Sequence, residues 1–534
     1  MKYRKFLLPI ILLMIVLVVV LVACQNGDDN TNNDEQKKSD FVFSKKSDGT
    51  YEVSSVTDKN IDLAQIPEEY NNKAVTSIGD MAFANLSNLI KVEIPNSVTQ
   101  IGEYAFMDSK AEIFWGENPS ITTLGTKAFY KYKGKSLIIP DSVTAIGQEA
   151  FNECTSEIKW GENPQITKIG ESAFLGSKIT QFAIPESVTE IGDSAFRLCS
   201  ELESITFGKN VTVFGSGIFG ECENLDKIYY NGSLEDWCNL DFYDRSNNPM
   251  ENAKSLYING ELLKDKLIIP DTIKQLKDYT FYNCKEITSV EIPDNVNSVG
   301  EYTFLECSNL KTVNLGKGLT KIARGTFSGS GITNLVVPEN ITAIEDFAFM
   351  DCDFLVNINI SAGVTSISEN AFSGCECLTN IEVDASNSIY SSVDNCLIEI
   401  KSKTLVLGGV NGTIPSDGIV NTIGCEAFSG RKGLLSINIP ESIKFIEDSA
   451  FSDCDSLTEV VIPDSVLSIN NFAFSGCANL VSIFIPLEVG SIGMFAFGDC
   501  DNLTIYCEAT EKPNGWSSMW NIDERPVIWG YTAD

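Results

Sequence analysis

A solenoid of stacked parallel-β coils is the fold class this sequence predicts, and three observations predict it. The first is a small residue followed by phenylalanine, as in Ala195-Phe196. That phenylalanine recurs in steps of 22 or 23 residues from Phe83 to Phe219, from Phe281 to Phe372 and from Phe428 to Phe497, sixteen positions in all. The second is a fixed apolar pattern between anchors. In 184–207, IPESVTEIGDSAFRLCSELESITF, apolar residues fall at Ile184, Val188, Ile191, Phe196, Cys199, Leu202 and Ile205, and the pattern restarts at Phe207. The third is that only two steps are long, 62 residues from Phe219 to Phe281 and 56 from Phe372 to Phe428, after which the phase resumes. One coil cannot bury so many apolar side chains alone, so neighbouring coils must stack and share a continuous core.

Within a unit each element has a local reason. Leu202-x-x-Ile205-x-Phe207 alternates and is bounded by Pro or Gly, which predicts a short parallel strand. Pro185 follows the strand, where its missing N–H costs no ladder bond. The β-branched run Val188-Thr189-Glu190-Ile191 is expected to extend along a second side. Gly192 then turns the chain into a one-turn helical or 3₁₀ segment carrying Ala195, Phe196 and Cys199, which closes the coil.

The repeating IPxSVTxIGxxAFxxCxxLxxI resembles the Treponema-pallidum-type leucine-rich repeat of BspA-like bacterial surface proteins, from about Phe41 to the C-terminus. The resemblance implies a leucine-rich-repeat solenoid displayed outside the cell, in a family linked to adhesion to host proteins and to other bacteria. It names no ligand.

Taken in order, residues 1–23 begin with Lys2, Arg4 and Lys5 and then run apolar to Ala23, the form of an export signal. The ending Leu21-Val22-Ala23-Cys24 resembles a bacterial lipobox, which implies lipidation at Cys24; the alternative is an uncleaved anchor. Residues 24–40 contain no apolar residue after Cys24 and are expected to be a disordered tether. In 41–71, Phe-Val-Phe, a turn at Asp48-Gly49 and Tyr-Glu-Val predict a hairpin that caps the first coil. Repeats are assigned to 72–225, 264–376 and 422–504, and inserts to 226–263 and 377–421. Residues 505–534 carry Trp516, Trp520 and Trp529 without an anchor, and are expected to close the last coil as a C-terminal cap. Two repeats carry Trp115 and Trp160 before Gly-Glu-Asn-Pro; either these stack on a ligand or they fill the core slot of Ile94 and Ile184, which the alignment favours. The aromatic-rich first insert and the strand-like second insert are read either as binding loops on one face or as coils that tolerate extra length.

Composition bounds the function. With 39 Lys plus Arg against 73 Asp plus Glu, the formal charge of −34 repels phosphate backbones, so nucleic acid is not an expected partner. The chain has no histidine, which removes Ser-His-Asp and Cys-His nucleophile activation and histidine metal sites. No Gly-rich phosphate loop appears, and no acidic pair stands apart from the repeat pattern as a glycosidase would require. No catalytic residue, cofactor or metal is therefore assigned. Ten of the sixteen cysteines lie three residues after an anchor, and this column is read as small buried thiols rather than disulfides. Cys375 and Cys377 form only C-x-C, and pairing among Cys238, Cys396, Cys425 and Cys507 stays open.

What remains is the outward strand face. Its residues are mostly small and polar, as at Ser204 and Thr206, Asn357 and Asn359, or Ser436 and Asn438, with Tyr229, Val336, Val461 and Phe484 as apolar exceptions. An exposed aromatic on a polar platform is the usual form of a binding anchor. The candidate ligand contacts are Tyr229 and Phe484, with Trp237, Phe242 and Tyr243 of the first insert. The expected protein is a lipid-anchored surface molecule with a monomeric ectodomain that binds an extracellular protein or glycan. The alternative is a non-catalytic spacer or coat component.

Overall fold

Each repeat contributes one strand to each of two parallel ladders. In the computed structural model, which describes residues 40–532, the unit starting at Ile184 makes a two-residue strand, Glu190–Ile191, and then a longer one, Ser204–Phe207. Ile205 and Phe207 point into the core while Ser204 and Thr206 face outward, the alternation a strand imposes. The long strand pairs in register with Gln181–Ala183 of the coil before and Lys227–Tyr230 of the coil after, so Phe182, Ile205 and Ile228 stack. Ile169, Ile191 and Phe214 stack likewise in the short ladder. The signal at 1–23, Cys24 and the tether up to residue 39 lie outside the described residues. From Phe41 onward the chain is one unit. No helix among the described residues is long and apolar enough to cross a membrane.

The threonine before the short strand has a physical task. The hydroxyl of Thr189 donates to the Thr167 carbonyl at 3.2 Å, and Thr167 donates to Thr144 in the same way. At the closing segment the chain makes i→i+3 bonds of the expected 3₁₀ kind, but at every second residue. Ala195, Arg197 and Cys199 donate back to Gly192, Ser194 and Phe196, whereas Ser194, Phe196 and Leu198 donate forward to Ser216, Ile218 and Gly220 of the next coil. That alternation puts Ser194 and Leu198 at φ of 53° and 61°. The result is a run of turns that satisfies its polar groups both locally and along the stack. The position after the anchor that needs positive φ is often Asn, Asp or Gly, as at Asn85, Asp108, Gly176 and Gly476, the residues that tolerate it best.

The anchors form the centre of the core. Phe174 and Phe196 stack with centroids 5.1 Å apart and planes 1° from parallel, and the other neighbouring anchors repeat this at similar spacing. The ends are closed. Phe41–Lys45 and Tyr51–Val56 pair as an antiparallel hairpin, and Phe43 stacks on Tyr70 at 4.1 Å. At the other end Trp516 and Trp520 are buried, Trp529 packs on both, and the Trp516 indole donates to the Val489 carbonyl at 2.9 Å. Trp115 and Trp160 stand in register with Ile94 and Ile139, in the core slot. Their indoles donate to Ile138 and Ala183 carbonyls of the next coil, both at 2.7 Å.

Both inserts are coils of extra length. In the first, Leu234–Cys238 is a short helix with Ser233 and Asp236 as a capping box. Asn252 donates to the Phe219 carbonyl before it, and Asn283 of the next coil donates back to Met250. In the second, Tyr390–Val393, Cys396–Glu399 and Thr404–Gly408 form an antiparallel meander that joins the short ladder at Thr422–Ile423. Arg431, which occupies the cysteine column just beyond, is fully buried. Its guanidinium donates to the carbonyls of Gly408 at 2.9 Å, Ser429 at 2.9 Å and Phe372 at 3.4 Å, across the widened seam. The seam closes tightly at the turn: a Cβ on Gly430, at φ of 70°, would lie 2.7 Å from Gly374 Cα.

Candidate ligand-binding face

The outward side chains of the long strands form columns wherever neighbouring strands pair in register. One of them runs Ala183, Thr206, Tyr229 and Tyr257 across consecutive strands. Tyr229 and Tyr257 pack ring on ring, centroids 4.7 Å apart and planes 31° off parallel, and both are half-exposed. On the other side of Tyr229 lies a cleft of about 430 Å³, floored by Gln181, Ala183, Ser204 and Thr206 and rimmed by Glu203, Asn224, Asp226 and Lys227. Lys227 Nζ lies 3.9 Å from Asp226, whose carboxylate also faces Lys254 at 3.5 Å. Asp226 is thus paired with lysines, Glu203 at the same rim has no ion pair among the described residues, and the floor is neutral.

The other candidates do not converge on this place. Trp237 and Phe242, expected as ligand contacts, are fully buried. The Trp237 indole donates to the Thr280 carbonyl at 2.8 Å, and Phe242 packs on Phe214 and Trp237, so together they fill the core where the anchor column skips from Phe219 to Phe281. This corrects the expectation for both: a long insert that replaces an anchor needs large apolar side chains to fill its place. Tyr243 is 81% exposed, but it follows Phe242 on the short-ladder side of the coil. Phe484 is half-buried in a separate cluster, in register with Val461 and Tyr506 and edge-on to Tyr531 at 6.0 Å. Tyr257 was not singled out from sequence, although Ser-Leu-Tyr-Ile repeats the alternation of Ser-Ile-Thr-Phe and ends at the Asn259-Gly260 turn.

The cysteine column is buried and unpaired by disulfides, and most of its thiols are engaged in hydrogen bonds. All fifteen described cysteines are free, including Cys238, Cys396, Cys425 and Cys507. Eight of the column donate a thiol hydrogen to the carbonyl of the preceding anchor phenylalanine, as Cys454 does to Phe428 at 3.1 Å. Burial pushes the Cys307, Cys375 and Cys454 thiols up to about 12, far from the thiolate range a nucleophile needs. Cys375 is buried while Cys377 is exposed, so the two do not face a common ion.

The sequence model described as BspA type leucine rich repeat region matches this chain in six copies, over 59–134, 122–248, 266–398 and 411–511. The chain belongs to this family. BspA-type repeats thus account for both ladders and for part of each insert. Among solved structures, a leucine rich cell surface protein of Faecalibacterium prausnitzii is similar at 25% identity, over 68% of this chain and 97% of that one, with a TM-score of 0.34. A leucine-rich repeat protein of Bacteroides ovatus is similar at 22% identity over 92% and 98%, with a TM-score of 0.31. The leucine rich repeat protein of T. pallidum is similar at 19% identity over 51% and 88%, with a TM-score of 0.28. No curated protein matches the sequence.

Proposed function

We propose that this BspA-type repeat protein is exported, held at the cell surface by lipid on Cys24, and attaches the cell to an extracellular protein or glycan without catalysis. The observation that carries the binding reading is Tyr229, a half-exposed aromatic at the edge of a cleft on an otherwise small and polar sheet face. The basic start, apolar stretch and Leu-Val-Ala-Cys ending of residues 1–24 support export and anchoring. Attachment of cells displaying the protein to matrix proteins, mucins and other bacteria tests the first part. Tyr229→Ala should abolish attachment to at least one surface while the melting temperature holds, and unchanged attachment would count against the reading. Metabolic labelling with a fatty-acid analogue should mark the wild-type chain and not Cys24→Ser, and an unlabelled wild-type chain would refute the lipid anchor.

A spacer role is favoured by a different part of the face. Asn334, Asn357 and Asn380 stand in register on adjacent strands, and the Asn357 amide donates to Asn334 at 2.5 Å. Asn334 and Asn380 donate to Thr333 and Glu382 beside them, so these amides are engaged within the sheet, which suits a length-setting stretch better than a recognition surface.

A further inference from the structure

We propose that the cleft beside Tyr229 binds a neutral pyranose unit of a glycan, an assignment that rests on the binding role above and narrows it. The hydrogen-bonding groups are of the right kind and are free. Among the described residues, the side chains of Gln181, Ser204 and Thr206 make no hydrogen bond within the protein, although each lines the cleft. An amide and two hydroxyls supply donors and acceptors together, which is what vicinal sugar hydroxyls need.

The wall matches the other half of a sugar. Tyr257 lies on the strand beyond Tyr229 and covers one face of its ring, so the remaining face is turned to the cleft over Thr206. A rigid ring, braced from behind, is a flat apolar surface for the C–H face of a pyranose. The cleft of about 430 Å³ falls within the range of small-ligand sites.

Two rival ligand classes fit less well. A peptide adding a strand needs unpaired main-chain groups, and Ser204–Phe207 is already paired on both sides. An anionic sugar or a phosphate would meet Glu203 and Asp226 at the rim, with Lys227 beside Asp226, on a chain of formal charge −34.

The test is an array of neutral, acidic and amino-sugar tetrasaccharides probed with the full chain, beside the same matrix proteins and mucins before and after enzymatic removal of their glycans. Expected are saturable binding to neutral oligosaccharides and loss of mucin binding on deglycosylation. Tyr229→Ala should weaken both about tenfold or more, and Tyr257→Ala less. Thr206→Arg, an outward substitution that fills the cleft and spares the tyrosines, guards against a folding artefact and should weaken binding as strongly. Binding that survives deglycosylation but is lost with Tyr229→Ala would overturn the sugar and keep the attachment role. Neutral-sugar binding indifferent to Tyr229→Ala and Thr206→Arg would overturn the site. Preference for acidic sugars would overturn the assigned class, and binding to none of the probes would overturn both this inference and the attachment role.

Discussion

A thiol at the third position after the anchor is small enough for a crowded core and still donates to the carbonyl one coil back. That placement has a pH consequence. The thiols of Cys307, Cys375 and Cys454 stay protonated in the folded protein up to about 12, whereas in an unfolded chain they ionise near 8.5. The unfolded state therefore sheds protons first. The contribution is intact below the unfolded value and is lost as pH rises through the folded one. The urea midpoint should fall between pH 8 and about pH 10.5, and replacing these three cysteines with serine should shrink the difference. Arg431 shows the opposite solution in the same column. Burial pulls its guanidinium down from its ordinary value, and three carbonyls rather than a carboxylate hold it. Arg431→Leu removes the buried charge but strands those acceptors, and should cost about 3 kcal/mol in equilibrium unfolding. Arg431→Lys should recover part of this, since an ammonium reaches fewer of them.

The elements were legible from sequence to very different degrees. The long strands declare themselves through alternation, and the Thr-x-Ile of the short strands through β-branching, because both signals are local. The closing turns do not, since half of their amides bond to the following coil, and no window of one repeat contains the partner. The first insert misled for a related reason. Aromatic residues between Asn-Gly turns have the composition of an exposed binding loop, and only the missing anchor between Phe219 and Phe281 marks the empty core volume that Trp237 and Phe242 fill. Trp237→Ala should accordingly destabilise by about 3–5 kcal/mol, with a cavity against Tyr230 and Phe242. Tyr243→Ala, on the exposed side of the same insert, should leave stability within about 0.5 kcal/mol. Of the candidate site, the sequence revealed Tyr229 by its break with the polar column, but not its backing by Tyr257, which requires the register across the insert.

At the scale of the described unit, the apolar interior divides at the second insert. One core runs from Phe41 to Leu407 and another from Cys396 to Trp520, with Arg431 at the join. Stability in such an array is the sum of coil and nearest-neighbour terms, so the shorter core should open separately. Hydrogen exchange should show 422–520 opening together, earlier than 83–219, and Trp516→Ala should speed the first without touching the second. Equal protection on both sides of Arg431 would contradict this division. The threonine column has a consequence of another kind. Thr122, Thr144, Thr167 and Thr189 each hand a hydroxyl hydrogen to an identical carbonyl one unit earlier, so any of these seams can close on any other. In-frame loss or duplication of one unit by unequal recombination joins surfaces that already fit. Arg431, whose partners include Phe372 and Gly408 from beyond its own turn, marks a place where such an exchange would strand hydrogen-bonding groups.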